Sequence, residues 1–140
     1  MKTLSGVVES VYLGSPDIDD LAKQSCQRLE IALDGIVGDR HRGLSREAWE
    51  YDKQPEGTVR RNERLWSAMS VEELDAINQA MDLNQPLTAA DLGVNLCFDG
   101  IPNFSQLAKG TTLTFPSGAE LIVEEYNPPC LDMGEKLAGL

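Results

Sequence analysis

Histidine is almost missing from this sequence: His41 is the only one in 140 residues. Cysteine is scarce as well, with Cys26, Cys97 and Cys130 at no regular spacing. Ligand count argues against a metal cage built from His and Cys. Three unevenly spaced thiols also fit no disulfide scaffold. No apolar run approaches the roughly 20 residues of a membrane-spanning helix. The opening Met1-Lys2-Thr3-Leu4-Ser5-Gly6 lacks the apolar core of a secretory signal. These absences predict a cytoplasmic protein with reduced thiols and no membrane partner. Positive charge is also short, with 12 Lys and Arg against 23 Asp and Glu and a net charge of −11. That deficit argues against nucleic acid as a partner, because phosphate binding needs a basic footprint.

What is present points to a folded domain. Hydrophobic residues make up 41% of the chain, ordinary for a globular protein. The length suits one core, so residues 1–140 read as a single domain. Charge is unevenly spread. Arg40, Arg42, Arg46, Lys53, Arg60, Arg61 and Arg64 fall in one stretch, mixed with Asp39, Glu47, Glu50, Asp52, Glu56 and Glu63. That stretch is near neutral on an acidic chain. Two readings stay open for it, a local anion site and a solvated loop of mixed charges.

Alternation and turn signals predict strands over residues 6–13, 28–33, 64–69 and 92–98. Pro116-Ser117-Gly118 predicts a hairpin turn between strands at 111–115 and 119–126. Ser70-Val71-Glu72-Glu73 has the form of a capping box. Val71, Leu74, Ile77, Ala80 and Met81 then share one helical face, which predicts a helix over 71–82. Residues 42–63 show no period and read as a long loop. Many short strands with one principal helix predict a mainly β fold, a barrel or a relative of one.

Several residues are candidates for chemistry. Cys130 follows Pro128 and Pro129 at a strand end, where fixed backbone holds the thiol in place. Such placement suits a metal-ligating or persulfide-carrying thiolate. A buried, inert cysteine is the alternative, and composition alone favours it. Gly35-Ile36-Val37-Gly38-Asp39-Arg40-His41-Arg42-Gly43 joins flexible glycines to both charge signs. Asp39 can accept from a pterin-like N–H, and Arg40, His41 or Arg42 can meet an oxyanion; a charged turn with local ion pairs is the alternative. Cys26 and Cys97 read as structural. Asn95 reads equally as a satisfied core amide and as a group facing a ligand.

In order and spacing these motifs resemble the MOSC family, the domain named for the C-terminal part of molybdenum cofactor sulfurase. The resemblance rests on Gly35-Ile36-Val37-Gly38-Asp39-Arg40-His41, on Leu92-Gly93-Val94-Asn95-Leu96 leading through Asp99-Gly100-Ile101 to Leu107-Ala108-Lys109-Gly110-Thr111-Thr112-Leu113, and on Pro129-Cys130. It implies a MOSC-like β-barrel with one principal α-helix. It also implies binding of the molybdenum cofactor (molybdopterin) or carriage of sulfur at Cys130. Cys130 would then be the catalytic thiolate and metal ligand, Asn95 a cofactor contact, and Asp39, Arg40 and His41 the cofactor-binding rim. Relatives continue past the cysteine, so the domain reads as one shortened at its C-terminus, a minimal member, or a barrel completed by another subunit.

The implied partners are a pterin cofactor and a reductase or sulfur-donor protein. Oligomeric state stays open. The competing functions are a molybdenum-dependent reductase module acting on N-hydroxylated compounds, and a degenerate structural domain. Enzyme activity is undecided between oxidoreduction and sulfur transfer.

Overall fold

A computed structural model describes residues 3–17, 20–49 and 52–124. Cys130 and the end of the predicted strand at 119–126 lie outside the described residues. In chain order the strands are β1 (Val7–Leu13), β2 (Gln24–Cys26), β3 (Ile31–Ala32), β4 (Gly35–Ile36), β5 (Ser45–Glu47), β6 (Val59–Arg61) and β7 (Ala68–Ser70). Helix α1 (Val71–Met81) follows, then β8 (Leu96–Asp99), β9 (Thr112–Thr114) and β10 (Glu120–Ile122). The fold is mainly β with one α-helix among the described residues, plus a short 3-10 turn at Phe104–Gln106. The strands form one four-stranded sheet, β2-β1-β8-β7, and three two-stranded ribbons, β3-β4, β5-β6 and β9-β10. No closed barrel is found among the described residues. No helix of the described residues is long and apolar enough to cross a membrane.

Strand β8 is central because its sequence is apolar on both faces. Side chains alternate across a strand, so Leu96 and Phe98 enter one cluster, with Phe104 and Leu121, while Cys97 enters another, with Met69, Ala89 and Val94. Phe98 stacks on Phe104 at 5.0 Å and on Phe115 at 6.4 Å between ring centroids. Burying a side chain of that size is worth about 2–3 kcal/mol. Strand β7 runs parallel to β8, pairing Met69 with Cys97 and Ala68 with Leu96. A parallel pair needs a crossover, and α1 supplies it.

The helix forms where the capping box predicts. Ser70 Oγ accepts from Glu73 N–H, and Glu73 Oε1 accepts from Ser70 N–H, both at 3.1 Å. Asp82, at φ 48°, ends the helix in the left-handed region. Val71, Leu74 and Ile77 pack on the Cys97 cluster. Beyond the helix, Asn78 ties the loop back by bonding both Leu87 N–H and Leu87 C=O.

Several sequence expectations shift. The strand predicted at 28–33 is cut to Ile31–Ala32, because the chain turns at once into β4 and leaves Leu33 99% exposed. The strand at 64–69 moves to Ala68–Ser70. The one at 92–98 begins only at Leu96, after a turn in which Gly93 has φ +75°. The hairpin stands, with Phe115 and Ala119 bonded across its turn. The long loop at 42–63 is in fact the β5-β6 hairpin. Ion pairs hold it where apolar periodicity does not. Arg46 binds Asp52 and Glu63, and Arg60 reaches the same two carboxylates.

Candidate functional site

After β4 the chain makes a tight turn. Asp39 N–H bonds Ile36 C=O, and Arg42 N–H bonds Asp39 C=O. Gly38 takes φ +84°, a conformation that favours glycine. The turn drives the Asp39 side chain inward, where it is 0% exposed. Its oxygens gather four donors. Oδ2 accepts from Gly14 N–H and from the Asn95 amide, each at 2.9 Å. Oδ1 accepts from His41 N–H at 2.9 Å and lies 3.1 Å from His41 Nδ1. Burial pushes the Asp39 carboxyl up, yet hydrogen bonds from the His41 ring, Gly14 and the His41 backbone, with the charge of Lys23, outweigh it. The group is held well below the usual carboxylate range.

Asn95 stands at the entrance to β8 and joins three segments. Its amide donates to Tyr12 C=O and to Asp39, and its Oδ1 accepts from Ser67 N–H at 3.1 Å. Both amide protons are therefore engaged within the protein, and the core-amide reading of the sequence describes its bonds. Arg40 N–H reaches Gly14 C=O at 2.7 Å. The Arg40 guanidinium lies over Gly14, where an added Cβ would sit 2.8 Å from Nε. His41 is the exposed member of the group, with 37% of its side chain accessible.

The structure thus brings together Asp39, Arg40, His41 and Asn95 from distant parts of the sequence. It does not place Cys130, which lies outside the described residues. Gly14 and Lys23 were missed by sequence reasoning. Gly14 carried a signal, as a glycine at the end of β1, but only as a chain breaker. Lys23 carried none, since only the tertiary fold buries it, to 6% exposure. That burial pushes its ammonium down, the Asp39 charge opposes the change, and Arg40 adds to it.

Of the two readings for the charged stretch, mixed ion pairs describe most of it. Arg42 pairs with Asp34, Arg61 with Glu124 of the β9-β10 side, and Arg64 lies over Trp49 at 4.9 Å. A cavity of about 280 Å³ lies there, lined by Gln54, Arg60, Arg61, Glu63, Lys109 and Glu124. Among the described residues no three His, Cys, Asp or Glu side chains stand so as to hold a metal ion.

No protein-family model matches the chain. A curated relative from Bacillus subtilis, described as "Putative metal-sulfur cluster biosynthesis proteins YuaD", is 32% identical over 136 residues, spanning 96% of this chain and 69% of the relative. The crystal structure of the B. subtilis YUAD protein superposes with a TM-score of 0.88 at 30% identity, over 96% of this chain and 72% of that one.

These likenesses correct the family expectation. The MOSC resemblance is replaced by likeness to a protein whose description concerns metal–sulfur clusters. With it fall the molybdenum cofactor, its binding or sulfur carriage at Cys130, the molybdenum-dependent reductase and the degenerate structural domain. The motifs behind the resemblance are short backbone signatures that many β folds can produce. Here Asp39 and Asn95 bond the fold's own groups, so their presence reports local folding and does not require a pterin.

Proposed function

We propose, since this chain belongs to the family of Bacillus subtilis YuaD, that it serves metal–sulfur cluster biosynthesis, with His41 as a ligand to the cluster or its metal in transit. Identity through nearly the whole chain supports the first part. One observation carries the second: a fully buried carboxylate, Asp39, stands 3.1 Å from Nδ1 of the half-exposed His41. A carboxylate on one imidazole nitrogen fixes the tautomer and ring orientation and raises the basicity of the other nitrogen. Nε2 is then the nitrogen offered to an incoming ion. A single anchored imidazole suits cargo whose remaining ligands come from elsewhere, and among the described residues no three His, Cys, Asp or Glu side chains are grouped to hold a metal ion.

The chain's one histidine makes this testable by nitrogen-detected NMR of the imidazole. Added Co²⁺ is expected to broaden the Nε2 resonance selectively at substoichiometric metal, and Asp39→Asn to weaken the effect. An unperturbed imidazole at millimolar Co²⁺ would remove His41 from the reading.

A further inference from the structure

His41 is held by its backbone as well as by its ring. Its N–H donates to Asp39 Oδ1 at 2.9 Å, and its C=O accepts from the Asn62 side-chain amide at 2.7 Å. The same amide donates its second proton to Gly43 C=O at 2.9 Å. Asn62 is 6% exposed. Its Oδ1 accepts from Arg64 N–H at 3.0 Å, which settles the way the amide faces. Asn62 stands directly after β6, and its own N–H continues the hairpin ladder by donating to Leu44 C=O. Backbone bonds therefore already close the hairpin at this end. The two side-chain donors go past it, to the turn that carries the imidazole, 21 and 19 positions away in the chain.

Peptide planes are rigid, so a residue bonded at both its N–H and its C=O keeps its φ and ψ. Fixed φ and ψ set where Cβ points and which rotamers are open to the ring. Asp39 takes the N–H side of His41 and Asn62 the C=O side. Only χ1 and χ2 then remain to bring Nδ1 to its 3.1 Å contact with Asp39 Oδ1. We propose that Asn62 is a positioning residue for the His41 imidazole. It acts through the turn backbone to keep Nδ1 on Asp39, and so offers Nε2 to an incoming divalent metal. This role rests on the reading of His41 as a ligand to metal in transit. Without the amide, the His41 and Gly43 carbonyls lose their donors. Polar groups so stranded cost free energy unless they shift towards water, and a shifted turn carries the ring off Asp39.

The test replaces the amide by a carboxylate of the same shape in the full chain. Asn62→Asp keeps an oxygen for Arg64 N–H and loses both donors. Ring-nitrogen NMR without metal, at a pH where imidazole is neutral, reads the tautomer. We expect the wild-type ring to carry its proton on Nδ1, beside Asp39, and Asn62→Asp to lose that preference. Co²⁺ affinity, read from Nε2 broadening, should fall about three- to ten-fold, less than the 10–100-fold typical when a ligand's own bonded partner is lost. Ser70→Ala, weakened at the helix instead, should keep both wild-type values, which separates positioning from lost stability. Should Asn62→Asp fail to fold, Asn62→Ser removes the amide without adding charge. The wild-type chain gives a second reading: by linkage, saturating Zn²⁺ must slow solvent exchange of the Asn62 side-chain amide protons. A wild-type tautomer or wild-type Co²⁺ affinity in the folded variant, or exchange that Zn²⁺ leaves unchanged, overturns the role of Asn62. A wild-type imidazole that ignores both metals overturns the ligand reading instead, and the metal-free tautomer still judges Asn62.

Discussion

Replacing Asp39 by alanine removes the acceptor on which four donors converge. Gly14 N–H, the Asn95 amide and His41 N–H each lie 2.9 Å from its oxygens, while the half-exposed His41 ring can turn to water. A stranded buried donor costs about 1–3 kcal/mol. Allowing for water entry at His41, Asp39→Ala should cost about 3–5 kcal/mol, a large share of the roughly 5–15 kcal/mol that holds a domain together. In urea, with a slope of about 2 kcal/mol per molar, the midpoint should fall by roughly 2 M. His41→Ala should cost less than about 1 kcal/mol, because its ring is half-exposed. Acid supplies a second reading. The folded pKa of Asp39 is depressed, so its contribution is complete above the unfolded value near ~3.9 and is lost as pH falls towards the folded one. The gap between wild type and Asp39→Ala should therefore narrow below about pH 4. A loss under about 1 kcal/mol at neutral pH, or a gap that widens in acid, would refute the hub.

Three further outcomes are expected. Ser70→Ala removes the Oγ that accepts from Glu73 N–H and donates to Glu73 Oε1, while the backbone N–H of residue 70 keeps its bond to Glu73, and should cost about 1–2 kcal/mol in chemical denaturation; a neutral result would remove the serine cap from the helix. Arg46→Met removes the nearest of the cations shared by Asp52 and Glu63 and leaves only the longer contacts of Arg60 and Arg64, so hydrogen exchange should speed up at the Ala48 and Asn62 amides, which close the β5-β6 hairpin. Unchanged exchange there would show that apolar contacts hold it. Burial raises both described thiols, but Cys97 is 2% exposed and Cys26 is not buried. Limiting iodoacetamide should label Cys26 before Cys97, and the opposite order would contradict the packing of β8.

Features governed by neighbours in sequence were legible in advance. The capping box at Ser70, the stripe of Val71, Leu74 and Ile77, and the turn at Pro116-Ser117-Gly118 each rest on contacts within a few residues. The β5-β6 hairpin was hidden because Arg46, Asp52, Arg60 and Glu63 stabilise it by cross-strand charge, which leaves no hydrophobic period to read. Asp39, Arg40, His41 and Asn95 could be singled out by residue type. Their roles could not, since the Asp39–Asn95 bond spans 56 positions and exists only once β8 lies beside β1. Lys23 was invisible for the same reason. The family was misjudged because short turn and strand-end signatures recur across β folds, whereas likeness over 136 residues does not.

Cells lacking this gene give the most direct test of a role in metal–sulfur cluster biosynthesis. Activities of cluster-dependent enzymes should be measured in their extracts, with the polypeptide levels of those enzymes measured alongside. We expect activity to fall while polypeptide levels hold, the wild-type gene to restore it, and a folded His41→Ala variant to restore it poorly. Undiminished activity in the deletion strain would contradict the proposed function, and full rescue by His41→Ala would contradict the part assigned to the imidazole.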